Sequence, residues 1–317
     1  MGNLTGMSLY TPASAWTGRD DGPGPEHARW HSVINPASPH TRDAVALLGF
    51  SSDEGVRRNG GRQGAADGPE ALRAALASLA VHHDYPLVDA GTVTTQGEDL
   101  EGGQKELSSR VRGLAEAGNL TVVLGGGHET SFASHRGAFE ALGPMSIINF
   151  DAHFDLRQAD RPTSGTPFRQ IADLVGEDFS YSVFGISEPN NTKALFDAAA
   201  SLGVTTVLDT DVAELSVGDA ARRAAAAVEG DTPIHLSIDL DVLPASIAPG
   251  VSAPAGFGVS LEKLRAMVCA VAATRRVAVL DVVELNPAYD IDARTARAAA
   301  RLIHEIVNEH VAAVRRG

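Results

Sequence analysis

The sequence predicts an α/β protein whose mostly parallel sheet is covered by helices on both faces. Three observations carry this prediction: short apolar runs of strand length, longer Ala-rich amphipathic segments that alternate with them, and a composition of 44% hydrophobic and 21% charged residues over 317 positions. Strand-helix alternation builds right-handed βαβ units and buries a parallel sheet on both sides. The apolar runs, read as strands, begin with AVALLGF, ending at Phe50, and continue with TVVLGGG (121–127) and MSIINFD (145–151). YSVFGI (181–186), TTVLDT (205–210), PIHLSID (233–239) and VAVLDVVEL (277–285) complete them. Helices are expected at PEALRAALASLA, GQKELSSRVRGLAEAG, TKALFDAAASLG, DAARRAAAAVEG, SLEKLRAMVCAVAATR and ARTARAAARLIHEIVNEHVAAV. The single cysteine, Cys269, falls in the helical stretch 261–273 and reads as a small core residue. It has no intrachain disulfide partner, and a thiolate metal cluster is excluded.

Charge and composition remove whole classes of function. With 26 Lys+Arg against 40 Asp+Glu, the net charge of −14 argues against a nucleic-acid backbone or an anionic membrane, since both select clustered cations. A small anionic substrate held by a few placed arginines remains compatible. No stretch approaches the roughly 18 to 20 apolar residues of a membrane helix, and the N-terminus lacks a basic region followed by an apolar one. A cytoplasmic protein is expected. The first forty residues, rich in Pro, Gly and Asp, read as an N-terminal arm; 41–317, without internal repeat or linker, read as a single α/β domain.

In such a sheet the ligand site lies beyond the carboxyl ends of the strands, and there the unusual residues collect. Strand TVVL runs into Gly125, Gly126, Gly127, His128 and Glu129. This glycine turn presents His128 at a strand end, or it places His128 and Glu129 at the start of the next helix. It is neither a phosphate loop, lacking Lys-Ser/Thr, nor a zincin helix, the next histidine being His135. Strand SIINF ends in Asp151, His153 and Asp155 at period two, followed by Arg157; in an extended chain the three would share one side. Strand PIHLS ends in Asp239 and Asp241, again two apart. Two imidazoles and four carboxylates make an oxygen-rich, thiolate-free set suited to a pair of divalent ions, Mn²⁺ foremost, rather than a structural zinc. Glu284, flanked by Asp281 and Asn286, ends the last strand and reads either as the acid that binds a cationic substrate group or as a capped surface acid.

Taken together in co-linear order, GGGHE (125–129), NFDAHFDLR (149–157), SIDLDVLPASIAPGVSAP (237–254) and LDVVELNP (280–287) resemble the ureohydrolase family of arginases, agmatinases and formimidoylglutamases. The resemblance implies a three-layer αβα sandwich and two Mn²⁺ per chain. Mapped residue by residue, it makes His128, Asp151, His153, Asp155, Asp239 and Asp241 the metal ligands and Glu284 the acid that holds an amidine or guanidine. GVRRNGGRQGAADGPEALR (55–73), RPTSGTPF (161–168) and GISEPNNTKALFDAA (185–199) are similar to the formimidoylglutamase subfamily. Ser164 and Asn190 in these segments would contact substrate, and Phe168 stands where arginases carry a histidine proposed to shuttle protons. A homo-oligomer is expected on the same ground.

Arg157 points to an acidic amidine substrate, because its fork pairs bidentately with carboxylates; Arg57, Arg62 and Arg161 are the alternatives. The resemblance therefore implies hydrolysis of N-formimidoyl-L-glutamate to L-glutamate and formamide in histidine degradation, with Asp155 carrying the proton to the departing nitrogen. The alternatives are urea release from another guanidino acid, or a binding module that uses the cleft for a small acidic ligand.

Overall fold

The computed structural model describes residues 8–228 and 230–315. Its centre is one sheet of ten strands: β1 (Tyr10–Thr11), β2 (Asn35–Pro36), β3 (Val45–Ser51), β4 (Leu87–Thr94), β5 (Leu120–Leu124), β6 (Ser146–Phe150), β7 (Ser180–Ile186), β8 (Thr205–Leu208), β9 (Ile234–Asp239) and β10 (Val277–Val283). Eight strands run parallel in the order β4-β3-β5-β10-β9-β6-β7-β8. At the outer edge β1 pairs antiparallel with β4, and β2 pairs parallel with it. Every strand read from the sequence is present.

Period-two alternation divides the core between the two faces. Leu47, Val122, Leu124, Leu280 and Val282 face one way, packed with helices Gly68–Ala77, Leu261–Ala272 and Arg294–Arg315. Leu48, Val123 and Val279 face the other, beneath Leu100–Glu116 and Thr130–Leu142. The result is the expected αβα sandwich. Among the described residues no helix is long and apolar enough to cross a membrane.

Sequence reading misses β4 and the helices Thr130–Leu142 and Pro167–Val175. In β4 the obstacle is Asp89 and Gly91, which break an apolar pattern. Asp89 is nonetheless buried, because Arg73 grips both its oxygens (Nε to Oδ2 2.9 Å, Nη2 to Oδ1 3.0 Å) and Trp16 Nε1 donates to Oδ2 at 2.8 Å. A buried carboxylate is tolerated when it is paired and hydrogen-bonded. Cys269 is only half-buried on its helix, not a full core residue.

Trp30 is completely buried and its Nε1 donates to His304 Nδ1 at 3.0 Å, which pins the early chain to the helix Arg294–Arg315. Trp30→Ala should lower unfolding stability by about 3 to 5 kcal/mol, read by urea denaturation. A loss below about 1 kcal/mol would mean that this packing contributes little.

Candidate metal centre and active site

The strands that carry the chemical residues are consecutive neighbours: β5, β10, β9 and β6. Adjacent strands stand about 4.8 Å apart, so residues leaving their carboxyl ends must meet. After β5 the chain turns through Gly125, Gly126 and Gly127. Gly126 packs directly on Ser52, where a Cβ would overlap the carbonyl oxygen, and Gly127 N–H donates to that same carbonyl at 3.0 Å. Only glycine fits this approach. His128 emerges at the centre of the site, and Glu129 takes the N-cap position of the helix that starts at Thr130, so the turn both presents His128 at the strand end and leads directly into the next helix.

His128 Nδ1 has carboxylate oxygens of Asp155 at 2.9 Å and of Asp151 and Asp239 at 3.1 Å each. His153 Nδ1 lies 3.1 Å from Asp241 and 3.6 Å from Asp151. The geometry gives two adjacent ligand groups, His128 with Asp151 and Asp239, and Asp151 with His153 and Asp241. Asp151 is shared. All six predicted ligands converge, though not by strand alternation. Beyond β6 the chain bends, and Asp155 takes a left-handed backbone (φ 50°). Asp241 is delivered by a 3-10 turn, Leu240–Val242, whose Asp241 N–H donates to Asp239 Oδ1 at 2.8 Å.

The donor set fits divalent cations. His128 Nδ1 is buried without a hydrogen-bond partner although three carboxylates face it, so an electron-pair donor looks into a ring of acceptors. A hard or borderline cation satisfies all of them at once. Without one, burial works against charging His128 and His153, but the surrounding carboxylates win: His128 is raised well above the ordinary histidine range and His153 is pushed up to about 12. Burial and neighbouring acids raise Asp239 and Asp155 in turn.

Glu284 also has a left-handed backbone (φ 68°), and its Oε1 accepts the His128 N–H at 2.9 Å. Burial, then the adjacent Glu129, pushes it up to about 8. It is an interior group, which removes the surface-acid reading. A cavity of about 340 Å³ lies over these residues, lined also by Arg157, Ser164, Asn191 and the segment 59–62. Among the described residues nothing holds the Arg157 guanidinium, which is exposed at the cavity wall. Arg57 is paired with Glu54 and Glu98, and Arg161 lies against Glu101. Arg62 lines the cavity but donates to the carbonyls of Ser252 and Val251 and lies over the Tyr289 ring.

Asn190 is not brought to the cavity. It is exposed on a 3-10 turn, Glu188–Asn190, and the next residue, Asn191, turns inward to bond the Ala152 carbonyl and the Phe154 N–H. Asn191 and the segment 59–62 are the residues that sequence reading passes over. Arg58, with its side chain largely covered, holds the rim together, donating to Glu54, Glu101 and the carbonyls of Glu98 and Pro162. Phe168 is fully buried, edge-on to His128 at 5.3 Å and stacked on Tyr181 at 4.4 Å.

These shifts set a pH dependence. His153 goes from 6.5 unfolded to about 12 folded, so its contribution to the metal-free chain is complete below pH 6.5 and is lost as pH rises toward 12. Glu284, raised from 4.5 to about 8, acts in the same direction, favouring the fold below 4.5 and ceasing to as pH passes 8. The metal-free chain should therefore melt at a lower temperature at about pH 9 than at about pH 6, and Mn²⁺ should stabilise more at the higher pH. Calorimetric melting with and without chelator checks this; a metal-free Tm that rises with pH contradicts it.

The model of the arginase family matches residues 43–308. The formimidoylglutamase of Corynebacterium efficiens is 50% identical over 301 residues, 94% of this chain and 96% of that one. That of Nocardia farcinica is 51% identical over 306 residues, 95% and 98% of the two chains. Among solved structures, Trypanosoma cruzi formiminoglutamase with Mn²⁺ superposes with a TM-score of 0.81 at 28% identity, covering 89% of this chain and 98% of that one. On these matches the chain belongs to the arginase family.

Proposed function

We propose that this chain hydrolyses N-formimidoyl-L-glutamate to L-glutamate and formamide, a step of histidine degradation, with two Mn²⁺ per chain. The observation that carries the reading is one cavity with five of the six donors and Glu284 on its floor, the sixth, Asp151, fully buried against His128 and His153, and on its wall a guanidinium, Arg157, without a partner among the described residues. An amidine at one end and carboxylates at the other match that layout. The names of the similar relatives favour formimidoylglutamate over a guanidino acid. His128, Asp151, His153, Asp155, Asp239 and Asp241 would hold the ions. Bound there, they would acidify water so that hydroxide is available near neutral pH.

Glu284 receives the protonated formimidoyl group and turns its carbon toward the donor cluster. Water would add through its oxygen to that carbon, the bond to the glutamate nitrogen would break, and the proton given up by the water oxygen would pass to that nitrogen. Asp155 lines the cavity as one of the carboxylates of the donor cluster. It is therefore suited to carry that proton. The buried Phe168 ring beside His128 has no proton to pass. Arg157 takes a substrate carboxylate, with Ser164 beside it in the lining. In this reading residues 1–40 are an arm on a single catalytic domain, 41–317, and the protein is a cytoplasmic homo-oligomer.

Product analysis tests the proposal: with Mn²⁺ the chain should release formamide and glutamate from formimidoylglutamate and little urea from guanidino acids. Urea as the main product from a guanidino acid would overturn it. A charge-assisted hydrogen bond contributes about 1.5 to 3 kcal/mol, so Arg157→Met should lower kcat/KM by about 10- to 150-fold, largely through KM, at unchanged metal content. A value within about twofold of wild type would remove Arg157 from the substrate site.

A further inference from the structure

Behind His128 a polar seam runs through a layer that is otherwise apolar. His128 Nε2 lies 3.0 Å from Ser237 Oγ, which lies 3.2 Å from Ser131 Oγ. Ser131 Oγ donates to Asp281 Oδ1 at 3.0 Å, and His235 Nε2 meets Asp281 Oδ2 at 2.7 Å. His235 Nδ1 is in turn 3.3 Å from His135 Nδ1. None of these side chains is more than 1% exposed. Their placement is regular. Ser131 and His135 are one turn apart on the helix Thr130–Leu142, His235 and Ser237 alternate on β9, and Asp281 is the register partner of Ser237 on β10. Elsewhere this helix-sheet layer is filled by residues such as Leu48, Val123, Ala133 and Val279. Burying a carboxylate and two imidazoles there costs stability that apolar residues would not.

Hydrogen-bond direction gives the seam its meaning. Asp281 stays ionised, because the neighbouring His235 outweighs burial and holds its carboxyl below the ordinary range. An ionised carboxylate only accepts. Ser131 must therefore donate to it, Ser237 donates onward along the same line, and the Ser237 oxygen is left to accept from His128 Nε2–H. The proton is thus fixed on Nε2, which leaves Nδ1, facing Asp151, Asp155 and Asp239, as the atom that would meet a cation.

We propose that Asp281, acting through Ser131 and Ser237, is a positioning residue that fixes the His128 ring and tautomer for the metal ion nearest His128. The proposal rests on the reading of His128 as a ligand. Outer partners of metal-bound histidines change affinity by about 10- to 100-fold when removed.

The test is Mn²⁺ binding to the full chelator-treated chain by equilibrium dialysis, without substrate, together with the Tm of the metal-free protein. Wild type should bind two ions. Asp281→Asn puts an amide N–H₂ where the hydroxyls now donate, and should weaken one of the two ions by about 10- to 100-fold while the other stays within about twofold. Ser237→Ala, which cuts the link next to His128, should weaken the same ion. A merely structural role would lower the metal-free Tm and weaken both ions together, or neither; either result overturns the proposal. Should Asp281→Asn fail to fold, Ser237→Ala decides alone: selective loss of one ion supports the proposal and wild-type affinities overturn it. Absence of binding by wild type would overturn the functional reading and this proposal with it, whereas two-ion binding with unaffected variants overturns this proposal only.

Discussion

Four carboxylates and two imidazoles are forced together at the ends of neighbouring strands, and the rest of the structure answers to that concentration of charge. Like charges at such distances in a buried site repel strongly. In the metal-free chain protons on His128 and His153 stand in for the missing positive charge, which is why both are raised so far. Two divalent cations would supply four positive charges, matching Asp151, Asp155, Asp239 and Asp241 with both imidazoles neutral. A scaffold able to hold this arrangement has to be stiff. The parallel sheet is, being covered on both faces by close-packed Leu, Val and Ile, and two of the non-glycine residues with left-handed backbones, Asp155 and Glu284, stand at the site it holds.

Around that floor the cavity is built from loops tied to one another rather than to the sheet. Arg58 joins the segments near Glu54, Glu98, Glu101 and Pro162, and Arg62 joins its own loop to Val251 and Ser252. These arginines are spent on structure. Arg157 is left over, and in a chain of net charge −14 an unpaired guanidinium at a cavity wall is a distinctive place for an anionic group. The cationic part of the substrate then meets Glu284, so the two ends of the proposed substrate find opposite charges about the donor cluster.

The fold and the candidate metal ligands are legible because both leave strong marks in sequence. Apolar runs such as SIINF and PIHLS announce buried strands, and acids placed directly after them fall at the carboxyl edge of the sheet, where a parallel α/β fold binds its ligands. The hidden parts depend on pairing across long separations. Strand β4 looks polar because Asp89 is satisfied by Arg73 and Trp16, a fact no local window contains. Asp155 and Asp241 reach the site through a left-handed turn and a 3-10 turn, so alternation points to residues that do converge, along a path that the chain does not follow. Asn190 and Asn191 differ by one residue of register, which decides which side chain faces inward, and a turn fixes that register. Ser237 and Asp281 lie inside the motifs, yet their link to His128 exists only across helix and sheet.

On the function proposed above, a buried site for two divalent ions, matched in charge by its four carboxylates, organises this chain. Calorimetric titration of Mn²⁺ into the metal-free protein near neutral pH, repeated in buffers of different ionisation enthalpy, reads that directly. Two ions per chain should bind, with release of protons as His128 and His153 give up theirs. Saturation at one ion or none, or binding with no proton released, would contradict it.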